Sequence, residues 1–334
     1  MVLKPVTRRR LWTAVSLSAA AMLLVAVLAP LVGSSTVHWQ SVLAPGPDHE
    51  IFFRARLPRV LLSLLAGAAL ATAGVLFQAL LRDPLADPYT LGVSSGSSLG
   101  AVAAICIGWE YAGGLPAIWV GSITGGAIAL LLVLAVASEG RRMSSFTLLL
   151  SGVTVNSICL ATILLLQNFA SFGQSFAIVR WLMGGIESVE YSTLAALAVA
   201  TVPVLLLVTG KAREWNVLAV GEDWAAARGV HVPRLMLGGF LAGSFLTAMV
   251  TALTGPIGFV GLLVPHALRL RLGGDNRLLL PCSCLIGAAF LTVCDTLSRT
   301  LLSAGELPVG VITALVGGPF FIWLLRSRRR SLWL

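Results

Sequence analysis

The stretch Pro58-Arg59-Val60-Leu61-Leu62-Ser63-Leu64-Leu65-Ala66-Gly67-Ala68-Ala69-Leu70-Ala71-Thr72-Ala73-Gly74-Val75-Leu76-Phe77-Gln78-Ala79-Leu80-Leu81 carries a single charge, at its second position. A hydrocarbon core about 30 Å thick is crossed by roughly 20 apolar residues in a helix, so residues 58–81 are long enough to span a bilayer. Charge closes the run at both ends, with Arg54, Arg56 and Arg59 around its start and Arg82 directly after it. Within it, Gly67 and Gly74 permit close helix approach, where lipid supplies no hydrophobic drive for association.

The same test applied outward finds ten runs, at 11–33, 58–81, 89–108, 115–138, 145–168, 191–209, 233–254, 257–272, 278–298 and 308–325. The eighth is short and holds Pro265, which predicts bent or irregular backbone. Residues 172–185 are too short to cross and read as an interfacial helix. The expected fold is an all-α polytopic membrane protein with one transmembrane domain over residues 1–334, ten helices and a cytoplasmic segment at 210–232. Composition agrees: 57% of residues are hydrophobic and 11% charged, against about 25% charged in soluble domains. Lys4, Arg8, Arg9 and Arg10 resemble a signal peptide's basic start, but the apolar run behind them exceeds the usual core of about 7–15 residues. It reads as a retained helix.

An even number of spans puts both termini on one side. The alternation then collects 18 of the 23 basic residues on that side and leaves Arg54, Arg56, Arg59, Arg180 and Arg299 on the other. This is the positive-inside pattern, with N-in and C-in orientation. The net charge of +9 therefore reports orientation rather than nucleic-acid binding.

Several chemistries are disfavoured. Gly92-Val93-Ser94-Ser95-Gly96 matches the G-x-S-x-G nucleophile pattern, which requires a strand-to-helix elbow; here it opens a transmembrane run, where Ser and Gly are packing residues. An intramembrane serine hydrolase is thus a remote alternative. An ion-coupled secondary transporter places ionisable groups at mid-membrane, and the spans are nearly free of them. The main exception, Asp295, has Arg299 one helical turn later, which reads as a local ion pair. A Walker A loop needs G-x-x-x-x-G-K-[ST], and neither Lys4 nor Lys211 fits, so the chain is not expected to hydrolyse ATP or be an enzyme. Five cysteines without a ligand-like cluster point to neither a disulfide framework nor a metal site.

Two polar features remain. Gly221-Glu222-Asp223-Trp224-Ala225-Ala226-Ala227-Arg228-Gly229-Val230 has alanines favouring a short helix, acids at its start, Arg228 near its end and Gly229 to stop it. Such an amphipathic knob could dock on a partner or be an ordinary solvated loop helix. Arg54, Arg56 and Arg59 crowd the side that disfavours arginine, where they could hold an acidic extracytoplasmic partner or an anionic solute, or snorkel to the interface.

The sequence resembles the FecCD-type permeases of ABC importers, which carry iron(III) siderophores, haem or cobalamin. The resemblance rests on Arg56-Leu57-Pro58-Arg59, Asp83-Pro84-Leu85-Ala86-Asp87-Pro88 with Leu91-Gly92-Val93, the 221–230 segment, Gly255-Pro256-Ile257-Gly258-Phe259-Val260-Gly261-Leu262 with Pro265-His266, and Glu306-Leu307-Pro308-Val309-Gly310. It implies the type II ABC importer permease architecture in the cytoplasmic (inner) membrane, as a homodimer with two ATP-binding subunits below and a substrate-binding protein above. No cofactor is implied in this chain, with ATP and Mg on the partner ATPase. Arg56, Arg59 and Arg299 match receptors for acidic residues of the binding protein. Gly221, Glu222, Asp223, Ala226, Arg228 and Gly229 fall in the ATPase-coupling segment, and Asp83, Leu85 and Ser145 at the cytoplasmic gate. Asp83 departs from the Asn common there, and Gly318 from a more usual Ala. The implied mechanism is alternating access, with an iron chelate or haem as first-choice solute and cobalamin second.

Overall fold

The computed structural model describes residues 7–33, 42, 46–112, 114–139, 142–143, 145–301 and 305–328. Lys4, His38, Arg141, Arg329 and Arg330 lie outside the described residues. The helices are α1 (Arg8–Leu28), α2 (Leu57–Leu81), α3 (Val93–Ile107), α4 (Ala117–Ala137), α5 (Ser145–Phe169) and α6 (Phe172–Leu182). They continue as α7 (Tyr191–Gly210), α8 (Ala212–Val220), α9 (Glu222–Ala227), α10 (Val232–Thr254), α11 (Val260–Leu272), α12 (Asn276–Thr300) and α13 (Val309–Arg328). Among the described residues seven helical stretches are long and apolar enough to cross a membrane, namely α1, α2, α4, α5, α7, α10 and α12 with their flanking turns. The shorter α3 and α13 are also apolar.

The stretch from Ala66 through Leu81 in α2 is buried without a break, because its small side chains let neighbours close in on every side. α12 packs along it where two glycines meet. A Cβ on Gly67 would lie 2.2 Å from the Gly287 carbonyl oxygen, and one on Gly287 would lie 2.6 Å from the Gly67 carbonyl oxygen. α11 crosses further along, where a Cβ on Gly74 would fall 1.8 Å from the Gly261 carbonyl oxygen. α10 closes a third side of α2, and α1 rides on the outside of α12. Two arginines tie α1 down: half-buried Arg10, whose Nη2 donates to the Leu272 carbonyl at 3.0 Å, and buried Arg299, whose Nη2 donates to the Ala29 carbonyl at 3.4 Å.

The structure departs from the expected helical segments in four places. The run 257–272 begins as non-helical backbone, with Phe259 left-handed at φ +69°, and helix starts only at Val260. Non-helical backbone at membrane depth is tolerated where protein satisfies its polar groups. Here the Ile257 amide donates to the Tyr89 hydroxyl at 2.6 Å, and Thr254 Oγ1 donates to the Gly255 carbonyl at 3.0 Å. Gly255 has φ +66°, and a Cβ there would meet the Trp181 carbonyl oxygen at 2.4 Å. The run 89–108 opens with a 3-10 turn, Pro88–Leu91, before α3. The interfacial segment 172–185 is helical only to Leu182, its start fixed by a capping box between Ser171 and Gln174. Ahead of α2, a single α-turn at Pro47–Glu50 and a π-helical stretch at Ile51–Arg56 prolong the helix beyond the expected start.

Candidate functional site

Charged side chains organise the two ends of the helical body differently. At the Arg59 end, the Asp295 side chain is fully buried. Arg59 Nε donates to Asp295 Oδ1 at 3.0 Å, and Arg299 Nε lies 3.2 Å from Asp295 Oδ2. The second arm of Arg59 leaves this core: its Nη1 donates to Glu306 Oε2 at 2.8 Å, and the Glu306 side chain is 55% exposed. Arg56 and Arg299 are 6% and 5% exposed. They turn toward the end of α1, Arg56 Nη1 to the Pro30 carbonyl at 3.2 Å and Arg299 Nη1 to the Val32 carbonyl at 3.3 Å. Of the three arginines read as receptors for an acidic partner, two therefore face protein in this conformation. The local Asp295–Arg299 pair read from the sequence is present, and Arg59 completes it.

Beside Arg59 opens a cavity of about 690 Å³ walled by Trp119, Phe176 and Trp181 and rimmed by Glu306, Arg180 and Glu187. Arg180 and Glu187 pair at 3.2 Å across the rim. The aromatic walls come from the start of α4 and from α6, which the capping box holds in place.

At the opposite end, α2 stops at Arg82, whose φ of 55° is left-handed and unusual for a residue with a side chain. Asp83 then holds its own turn, its Oδ1 accepting the Leu85 amide at 2.9 Å. Leu85 is left 51% exposed. Further along the turn, burial pushes Asp87 up to about 6, against the lowering effect of the Tyr89 amide that it accepts. Arg82 Nη2 donates to Glu222 Oε1 at 2.8 Å and lies 3.4 Å from Ser145 Oγ. The Ser145 hydroxyl donates to the Leu80 carbonyl at 3.0 Å. Ser145 and Glu222, singled out separately in the sequence, are thus joined through Arg82, which the sequence marked only as a span boundary.

The 210–232 segment is two helices rather than the one expected. In α9, Gly221 precedes the first turn and Glu222 and Asp223 occupy it. Its far end is closed as a Schellman motif: the Val230 amide bonds the Ala225 carbonyl at 3.0 Å, the Gly229 amide bonds that of Ala226 at 3.0 Å, and Gly229 has φ +80°. Asp223, Ala226 and Arg228 are exposed, and Trp224 is 61% exposed with the Arg228 guanidinium 5.8 Å from its ring centre. The unforeseen α8 is anchored by Trp215, 2% exposed, whose Nε1 donates to the Val208 carbonyl at 2.9 Å. Its ring packs where Gly239 has no side chain, next to Leu80. Asn216 of α8 donates to Asp275 at 2.7 Å and accepts the Asn276 amide at 2.7 Å. Although burial opposes it, the hydrogen bonds from Arg277 and Asn216 hold Asp275 down at about 2.

Ser94 of the G-x-S-x-G stretch is 1% exposed in the first turn of α3, the wrong context for a nucleophile. Among the described residues, no three His, Cys, Asp or Glu side chains converge as metal ligands.

A helical body with charge gathered at its ends, a broad cavity at one and an exposed helix at the other is the build of a multi-pass membrane permease. The chain belongs to the FecCD transport family, which matches residues 21–327. It is 44% identical over 295 residues to the uncharacterized ABC transporter permease protein YvrB of Bacillus subtilis, covering 84% of this chain and 80% of that one. To the hemin transport system permease protein HmuU of Yersinia pestis it is 37% identical, covering 84% and 85%. To the vitamin B12 import system permease protein BtuC of Escherichia coli it is 40% identical, covering 86% and 89%. A solved inward-facing structure assigned to the metal-chelate type of ABC transporter matches with a TM-score of 0.81 at 32% identity, covering 94% of this chain and 98% of that one.

Proposed function

We propose that the chain is the permease subunit of an ATP-driven importer of a bulky metal chelate, with ten spans, both termini cytoplasmic, and two copies around one pathway in the cytoplasmic membrane. The Arg59 end then faces outward and the Arg82 end faces the cytoplasm. The observation that carries this reading is the exposed α9, which presents Trp224 with Asp223 and Arg228 at the charge-rich end. A solvated loop helix gains nothing from an exposed tryptophan, whereas a helix seated on a separate ATPase buries it. Loop 83–88 with Ser145 would be the gate, and motion of α9 on ATP binding would open it.

The cavity's volume lies within the range of about 300–1,000 Å³ usual for small-molecule sites, and its tryptophan and phenylalanine walls suit a flat, conjugated ligand. Relatives named for hemin and for vitamin B12 are similarly close in identity. We place an iron chelate such as haem first and cobalamin second. Proteoliposomes holding the permease, ATPase and binding protein should take up haemin in an ATP-dependent manner, in preference to cyanocobalamin. ATP-dependent uptake of haemin, of a ferric siderophore and of cyanocobalamin all being absent, with the complex assembled, would overturn the chelate reading.

At the outer face, Arg59 is the arginine placed to receive an acidic residue of the binding protein, with Arg56 and Arg299 shaping the ground beneath it. An incoming carboxylate would compete with Glu306 for Arg59 Nη1. Removing the competitor should strengthen docking, so Glu306→Gln is expected to tighten binding-protein association several-fold and to steepen its dependence on salt. Surface-immobilised permease at low and raised salt reads both quantities. Unchanged affinity and salt slope would remove Arg59 from the docking face.

A further inference from the structure

We propose that Arg82 is a positioning residue that links the ATPase-docking helix to the gate. Its guanidinium holds Glu222 at the first turn of α9 while its backbone sets the gate turn that begins at Asp83. This inference rests on the permease reading above and specifies how movement at one of its sites reaches the other.

Three observations support it. First, Arg82 is the hinge residue itself: it caps α2 with a left-handed φ of 55°, so the chain reverses direction at the atom that bears the side chain. Asp83 fixes the next turn through its own Oδ1, and displacement of Arg82 is passed directly to Leu85. Second, the same guanidinium nitrogen reaches both Glu222 Oε1 at 2.8 Å and Ser145 Oγ at 3.4 Å, while Ser145 holds the Leu80 carbonyl. Glu222 Oε1 is itself 3.4 Å from Ser145 Oγ. The end of α2, the start of α5 and the start of α9 therefore meet at three polar atoms. Third, an apolar arrangement runs in parallel, with Trp215 of α8 and Leu80 of α2 both lying against the bare face of Gly239. The Arg82 and Glu222 side chains are 38% and 31% exposed, so the pair is weak as a stabiliser. It is well suited to being remade in a second arrangement, as a coupling element requires.

The backbone and charge contributions of Arg82 are separable. Asn tolerates the left-handed conformation, so Arg82→Asn keeps the turn and deletes the link, whereas Arg82→Lys keeps a cation. The reporter is Leu85→Cys in the full transporter, labelled from the cytoplasmic side with an impermeant maleimide, without nucleotide and with ATP plus vanadate. With Arg82 native, nucleotide should change the labelling rate. In Arg82→Asn that change should shrink about fivefold or more while ATPase subunits still co-purify and hydrolyse ATP, and in Glu222→Gln it should shrink by a similar factor. The exchange Arg82→Glu with Glu222→Arg should restore much of it, which a merely structural role would not predict. Full nucleotide dependence in both Arg82→Asn and Glu222→Gln overturns the link and leaves the permease reading standing. No nucleotide effect on Leu85→Cys labelling with Arg82 native overturns the permease reading and the link with it.

Discussion

Gly74→Ala is expected to prevent the native packing of α11 against α2, with most of the protein lost from the folded, detergent-extractable fraction. The added methyl would lie 1.8 Å from the Gly261 carbonyl oxygen. No rotamer relieves a clash between Cβ and backbone, so the two helices must separate. Overpacking typically costs about 1–3 kcal/mol and occasionally more. The upper end applies here because α2 is enclosed on its other sides by α10 and α12 and has nowhere to move. Native stabilities of about 5–15 kcal/mol leave little margin. Gly238 in α10 is the control, since a Cβ there meets nothing within 4 Å. Gly238→Ala should match the parent or gain slightly from reduced chain entropy. Thermal unfolding in detergent compares the two, and equal midpoints for Gly74→Ala and Gly238→Ala would refute the close-contact argument.

The second large effect is expected at Asp295. Its carboxylate is the shared counter-charge of Arg59 and Arg299, both largely shielded from solvent. Deleting one partner of a buried ionic group leaves charge unpaired, at a cost of about 3–5 kcal/mol. Asp295→Ala should lose an amount of that order, whereas Glu306→Gln, at the exposed end of the same network, should lose no more than about 1 kcal/mol. Unfolding of both variants beside the parent decides the matter; a loss below about 1 kcal/mol for Asp295→Ala would show the network to be dispensable. Charge reversal of Arg59, the obvious probe of docking from sequence alone, would strike this core as well. Glu306 is therefore the cleaner position for a binding experiment.

Long apolar runs were legible because a bilayer imposes length and composition on a helix before any tertiary contact is known. Residues 58–81 and 278–298 read as spans for that reason, and the apolar helices α2 and α12 follow them to within a few residues. Irregular backbone is expected in the run 257–272 because of Pro265, but Pro265 sits within α11 and the irregularity falls at 257–259, where the path depends on a hydroxyl, that of Tyr89, contributed from 168 positions away. At the sites, the family resemblance marks Glu222 for the coupling segment and Ser145 for the gate. The link between them did not show, because Arg82 and Glu222 are 140 positions apart and an arginine after an apolar run has the ordinary task of ending it. The arginine cluster was visible as a charge anomaly, but its inward orientation depends on where α1 ends, which hydropathy leaves open.

The fastenings of α1 also bear on how the protein is made. This helix is made well before α12, yet the guanidinium that holds the Ala29 carbonyl belongs to a residue 270 positions later. At about 5–20 residues per second, synthesis of the intervening chain takes roughly 15–55 s. During that interval the end of α1 can be held only by earlier partners such as Arg56, whose Nη1 reaches the Pro30 carbonyl from 26 positions later, while its apolar surface rests in lipid. Its seat against α12 is therefore taken only after that helix has been made.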